Sequence, residues 1–423
     1  MKKWVFPLLL VLWSELGIAQ TRNLSYYLEQ AKQNSPVLQT NTNQQKLIDL
    51  DLMQIKRVLA KPEIVFESSV LLAPIIEHNS FQLVSEGADS YQGFDLSATD
   101  GGQYQALISL KQGLLTGSKF QAYKNKAAID HQLAENIASL TVHELEQLVS
   151  YQYVLCLKSK LQIDNGQAVI KLLDERLMVL QTLIENGIYK QTDLMLLRIE
   201  HQDFELELNR SKADFETNLL DLNLICGIHE SNVVELELID IPLVSTRLES
   251  SRFLNAYQFD SLKIASDLQI SELKYKPQLN FFVNTGLNAV YLPNLNRLGL
   301  STGLTFSMTI YDGNQRKIER EKSIIQLNSV AIEKQNFQTQ AFLSTSKSMA
   351  KLKSINQQLG IVDDQITQYE KLSSAYNSEL SQGEASVMDL KNLLKDIQAK
   401  KNESLLLQME KQALVVAVNY WNY

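Results

Sequence analysis

Long stretches of this chain contain no proline and almost no glycine. No proline occurs between Pro74 and Pro242, and none follows Pro293. Four glycines stand at matched intervals: Gly117 and Gly187 are 70 positions apart, as are Gly313 and Gly383. The two pairs are offset by 196 positions, and Asp193 and Asp389 keep that same offset. Gly166 is the only glycine in residues 118–186, and Gly360 the only one in 314–382. Apolar residues recur at Ile129, Leu133, Ile137, Leu140, Leu145, Leu148, Tyr151 and Leu155, mostly three or four apart. That is helical spacing, and long unbroken runs of it suggest coiled coil. A helix that long reaches roughly 100 Å at ~1.5 Å per residue, more than a compact domain needs. The expectation is an internal two-fold repeat of long antiparallel helical hairpins, not a short-period solenoid.

Strand material precedes each hairpin. Helices are predicted over 23–34, 37–60 and 253–275, stopped by Ser35-Pro36, Lys61-Pro62 and Lys276-Pro277. Beyond the second Lys-Pro, Leu298, Leu300, Leu304, Phe306, Met308 and Ile310 alternate with glycine, serine and threonine, broken only by Thr302. Residues 278–290 and 103–110 alternate similarly, and 63–72 more weakly. Period-2 alternation signals a strand. It suits a membrane barrel with apolar side chains toward lipid, and equally a soluble antiparallel sheet with one wet face. Four strands cannot close a barrel, since single-chain barrels begin at about eight, so membrane strands would have to be shared between chains. The loop at 76–102, rich in Ser, Asp and Gly, is long, and that at 291–297 is short.

The chain begins with Lys2 and Lys3, an apolar run over 4–12, and Gly17-Ile18-Ala19 before Gln20. This reads as a secretory signal over residues 1–19, the run being too short for a membrane anchor. Beyond it no 18-residue apolar run occurs, so any crossing must use strands. The formal net charge of −8 and the lack of a long basic run argue against nucleic acid. The expected plan is a first repeat over 20–226, with a β-hairpin near 63–113 and a helical hairpin at 118–226. A connector at 227–250, extended around 233–238 and packed outside the helices, leads to a second repeat over 251–423. That repeat holds a β-hairpin near 278–310 and a helical hairpin at 314–423. Cys156 and Cys226 fall where an antiparallel hairpin could bring them together, but in apolar helical runs buried free thiols are commoner than a disulfide.

Little supports catalysis. The histidines His78, His131, His143, His201 and His229 are scattered, and His143-Glu144 fails as a zinc-protease motif because position 147 is Gln147. No catalytic, cofactor-binding or metal site is expected. Asp193 and Asp389 each stand six residues beyond a glycine. Either they cap a returning helix, where a carboxylate is favoured by the dipole and free amides, or they line an opening. The two roles are compatible.

In order and spacing these features resemble the TolC-type outer-membrane efflux protein family. The likeness rests on the Lys-Pro exits into strands, Ile310-Tyr311-Asp312-Gly313-Asn314, the two Gly-x5-Asp-Leu tips, and Asn34-Ser35-Pro36-Val37-Leu38. The resemblance implies a mainly α chain with four β-strands, three copies forming a 12-stranded outer-membrane barrel above a periplasmic coiled-coil α-barrel. It implies hairpin turns at Gly117, Gly187, Gly313 and Gly383, and a lipid-facing strand over 298–310. It also implies a periplasmic gate at Thr192, Asp193, Leu380, Gly383, Val387, Asp389 and Leu390. Ala385 and Asn392 replace charged residues of some members, so the charged lock is thinner. The implied function is a passive exit duct of a tripartite efflux or type I secretion system. Its partners would be outer-membrane lipid, a periplasmic adaptor and an inner-membrane pump. A soluble periplasmic adaptor and a structural coiled-coil envelope protein are the alternatives.

Overall fold

The computed structural model describes residues 21–72, 75–77, 80–82, 91–92, 102–232, 234–244, 251–290, 298–382 and 384–423. The expectations for the leader at 1–19, for Gly383 and for the loop at 291–297 lie outside them. Among these described residues seven α-helices run in chain order: α1 (Leu24–Asn34), α2 (Pro36–Ala60), α3 (Gly117–Glu185), α4 (Gln191–Cys226), α5 (Arg252–Glu272), α6 (Gln315–Gln382) and α7 (Val387–Trp421). Interleaved with them, among the same residues, are seven strands: β1 (Glu63–Leu72), β2 (Ile75–Glu77), β3 (Ser80–Gln82), β4 (Tyr91–Gln92), β5 (Gly102–Gly113), β6 (Gln278–Val290) and β7 (Leu298–Ser307). By contacts the chain divides into two units. One comprises residues 1–39, 139–253 and 336–423; the other comprises 40–138 and 254–335.

Prolines set the helix boundaries of the second unit and its entry. Pro36 opens α2, where a missing N–H costs nothing. Lys61-Pro62 follows the last residue of α2, and the α5 end tightens into a single 3-10 turn, Leu273–Tyr275, ahead of Pro277. The strands of this unit form an antiparallel sheet in the order β1-β5-β6-β7. The central pair, β5 with β6, joins residues far apart in sequence: Gln103 faces Val290 and Gly113 faces Asn280.

The register also corrects the strand expected to reach residue 310. Gln278 lies opposite Ser307. The next rung would need Pro277, which has no N–H to give. The ladder therefore stops, and Met308 and Ile310 continue the alternation in sequence but not in the sheet. A second sheet, in the order β3-β2-β4, occupies part of the region read as a long loop.

At the α5 end, Glu272 accepts hydrogen bonds from Arg316 Nε at 2.9 Å and from Arg320 Nε at 2.6 Å. These guanidinium bonds hold its carboxyl at about 2, far below the usual carboxylate range. Asp312 accepts from the Tyr275 hydroxyl and from the Arg316 N–H, fixing the turn into α6. Gly313 and Asn314 there take left-handed φ values of 69° and 66°. Gly117 does not share this role: it is the first residue of α3 and is absent from the left-handed region.

The first unit packs α1, α4 and parts of α3 and α7 around Tyr27, Tyr153, Leu157, Phe215, Leu219 and Leu222. Arg22 and Leu236 make a parallel bridge, with the Arg22 N–H donating to Glu235 O at 2.9 Å. The Tyr153 hydroxyl lies 2.7 Å from Glu237 O. Farther along the connector, Ile241 N–H donates to Gln412 and Val244 N–H to Asn419, both on α7. Cys156 and Cys226 are buried in this core as free thiols. Burial pushes both up to about 12. Among the described residues no helix is long and apolar enough to cross a membrane.

Candidate functional site

The four-stranded sheet has two chemically distinct faces. One carries Ile64, Phe66, Val70, Ile108, Leu298, Leu300, Leu304 and Phe306, which are 51% to 75% exposed. The registers put them together: Phe66 is opposite Ile108, and Phe306 and Leu304 are opposite Leu279 and Phe281. So extensive an exposed apolar surface is unusual for a soluble monomer and marks a contact with lipid or protein.

The opposite face is a trough of about 1220 Å³ lined by Glu67, Gln105, Ser109, Lys111, Asn280, Asn284, Asn288, Ser301 and Thr305, among others. Its polar groups bond across strands. Lys111 Nζ meets Glu67 at 2.9 Å, and the Gln105 amide donates to Asn288 at 3.4 Å. Gly286 is required where β6 crosses β5. Its φ is 148°, and a Cβ there would lie 2.1 Å from Ala106 O. β1 and β7 are the two edges of this sheet.

The second region is the turn of each helical hairpin, in the first unit. After α3, Gly187 adopts φ 74°. Ile188 N–H returns to Leu183 O and Gly187 N–H to Ile184 O, each at 2.9 Å. This pair of bonds is the Schellman motif, which ends a helix by satisfying its last carbonyls. After α6, Glu384 N–H returns to Glu379 O at 3.0 Å. Asp193 is the third residue of α4, and its carboxylate accepts the Lys190 N–H at 3.0 Å. Asp389 is the third residue of α7 and is exposed.

The two turns are packed on each other. Leu380, Val387 and Leu390 are buried with Leu173, Leu180, Leu194 and Leu197. The Tyr189 hydroxyl lies 2.7 Å from Ala385 O and 3.3 Å from Leu380 O. Glu200, 4% exposed, has Lys391 Nζ at 3.6 Å. Neither Tyr189 nor the Glu200–Lys391 pair was singled out in the sequence. Glu200 had one signal available: it falls three residues after Leu197 and six after Leu194, on an otherwise apolar helical face.

No family model matches the sequence, and no curated protein matches it. Solved structures do. Aligned to CusC, a structure described for transmembrane channel formation, the TM-score is 0.73 at 10% identity, over 94% of this chain and 91% of that one. The outer membrane protein VceC of Vibrio cholerae gives 0.71 at 12% identity, over 94% and 96%. The Campylobacter jejuni CmeC outer membrane channel gives 0.69 at 13%, over 94% and 85%. The fold is that of the TolC-type outer-membrane channels.

Within this TolC-type fold the candidate residues separate into three groups. Leu298, Leu300, Leu304 and Phe306 share the apolar face of the sheet, with Met308 and Ile310 just beyond β7. Leu380, Val387 and Leu390 are interior, holding the two hairpin turns together within the chain. Thr192 and Asp389 are exposed at the turns, and Asp193 is half-buried as a cap. Three of the five histidines have separate partners: His131 meets Asp49 at 2.8 Å and His201 meets Asp174 at 2.9 Å, while His143 stacks on Tyr420 and Tyr423; His78 lies outside the described residues. Among the described residues no three His, Cys, Asp or Glu side chains are grouped to hold a metal ion.

Proposed function

We propose that this chain is one third of a passive outer-membrane exit duct. The observation that carries the reading is the exposed apolar face on a sheet with two open edges. In lipid, every backbone N–H and C=O must be satisfied internally, so an open sheet edge is not tolerated there. Pairing β7 of one copy with β1 of the next removes all edges. Three copies give a closed barrel of twelve strands, with the apolar faces toward lipid and the polar troughs toward a water-filled lumen. The duplicated element order would then supply helical hairpins that wall off a periplasmic passage ending at the turns near Gly187 and Gly383. The CmeC neighbour is described as an outer membrane channel and CusC as forming a transmembrane channel, which supports this reading.

The chain would have no energy source of its own and would perform no catalysis. It would connect through its hairpin turns to a periplasmic adaptor and an inner-membrane pump, for efflux or secretion. The buried leucines and Tyr189 argue that a resting turn region closes by packing more than by charge. Single-channel conductance in planar bilayers tests the reading. The purified protein should form ohmic pores without an energy source. A protein that forms none, and that salt alone strips from membranes, would instead fit the soluble adaptor.

A further inference from the structure

A pocket of about 290 Å³ opens at the base of the two central strands, between the turn after β5 and the residues leading into β6. Its wall carries the side chains of Thr116, Ser118, Lys119 and Lys276, and its apolar part includes Leu115 and Leu279. Leu114 N–H donates to Leu279 O at 2.9 Å, which fixes the two sides of the pocket to each other. Leu279 stands opposite Phe306, so it belongs to the exposed apolar face and not to the polar trough. Leu115 is 55% exposed. Gly113 and Asn280, which also line the trough, complete the pocket, so it lies where the two faces meet at the strand base, apolar at Leu115 and Leu279 and cationic at Lys119 and Lys276.

Among the described residues the two ammonium groups have no carboxylate of their own. Some neighbouring cations are paired: Lys126 with Asp267, and Arg316 and Arg320 with Glu272. Lys119 and Lys276 form no ion pair among the described residues. Their surroundings reinforce the sign. The segments joining helix to strand, 53–62, 114–126, 268–277 and 308–322, hold twelve Lys and Arg against four Asp and Glu. The whole chain holds 40 against 48, so the remainder is strongly acidic and this belt is an exception to the protein's own composition. The pocket also sits under β5 and β6, away from the edges β1 and β7, so edge pairing between copies does not cover it.

We propose that this pocket binds the phosphate headgroup of an anionic phospholipid in the periplasmic leaflet. Lys119 and Lys276 would hold the phosphate as paired point charges, the Thr116 and Ser118 hydroxyls would donate to its oxygens, and the acyl chains would lie along Leu115 and Leu279. The inference rests on the membrane-barrel reading, because only that reading puts lipid against Leu279.

The test is native mass spectrometry of the protein released from vesicles containing phosphatidylglycerol and phosphatidylcholine. The wild type should retain about one phosphatidylglycerol per chain, in preference to phosphatidylcholine. The double variant Lys119→Gln/Lys276→Gln should lose that lipid, with apparent affinity falling at least about tenfold. Lys124→Gln, the same charge change on an exposed residue outside the pocket, should bind like the wild type. Equal retention by the double variant, or equal loss in Lys124→Gln, overturns the site. Inorganic phosphate that displaces the lipid at equal affinity overturns the lipid assignment and leaves a free-anion site. Failure of the wild type to enter vesicles at all defeats the barrel reading itself, whereas entry without selective retention defeats only the pocket. An unchanged helical circular dichroism signal and melting temperature show that each variant is folded.

Discussion

At the scale of the residue, the sheet offers a direct contrast between neighbours. Leu304 belongs to the apolar face and Thr305 to the trough. Leu304→Arg should cost ~2–4 kcal/mol if that face meets the bilayer middle, whereas Thr305→Arg should be far milder. Heat-modifiable mobility of the purified variants measures this, and equal damage at both positions would argue for a soluble sheet. The paired aspartates should also separate. Asp193→Ala removes a bond to the Lys190 N–H and should lower stability by about 1 kcal/mol. Asp389→Ala should leave the melting temperature nearly unchanged but weaken cation selectivity and block by multivalent cations in planar bilayers. Conductance indifferent to Asp389→Ala would make that carboxylate no more than a favourable charge at a helix start. The capping role of Asp193 could be read from Gly-x5-Asp-Leu, because a cap is local. The partner of Tyr189 could not: Ala385 stands at the matching position 196 residues on, but that offset relates two positions in sequence and does not say that the two turns touch.

Elements were legible where a single local rule governed them. Proline placed the ends of α1, α2 and α5, and alternation marked β6 and β7. The same rule overran β7 at Met308, because where a strand stops depends on its partner, and the partner begins after Pro277. β2, β3 and β4 were missed for another reason. They are two or three residues long, too short to display a period, within a stretch whose Ser, Asp and Gly content suggests loop. The junction of α5 with α6 makes a prediction of its own. The folded Glu272 carboxyl sits at about 2 against an ordinary value of 4.5. Its contribution is therefore complete above about pH 4.5 and lost as pH falls from there through about 2. The difference in melting temperature between wild type and Glu272→Gln should hold steady from pH 8 to pH 6 and shrink on acidification toward pH 3. A difference that persists undiminished at pH 3 would remove the guanidinium contacts as its cause.

For the molecule as a whole, the expected species in mild detergent has the mass of three chains by light scattering. A monodisperse monomer would contradict a shared barrel. Membrane fractions should keep the protein through a high-salt wash. Its two thiols should stay unmodified by a maleimide until denaturant is added, since both are buried and held near 12. Sequence order has a further consequence here. β5 finds its neighbour β6 only after α3, α4, the connector and α5 have been made. That is a pairing of high contact order, formed late because a large loop must close first. Until then the nascent chain carries a lone β1–β5 hairpin with an apolar face and two bare edges, a form prone to aggregate. The hazard for this protein thus falls in transit, when half of it exists, and a holding chaperone would act in that interval.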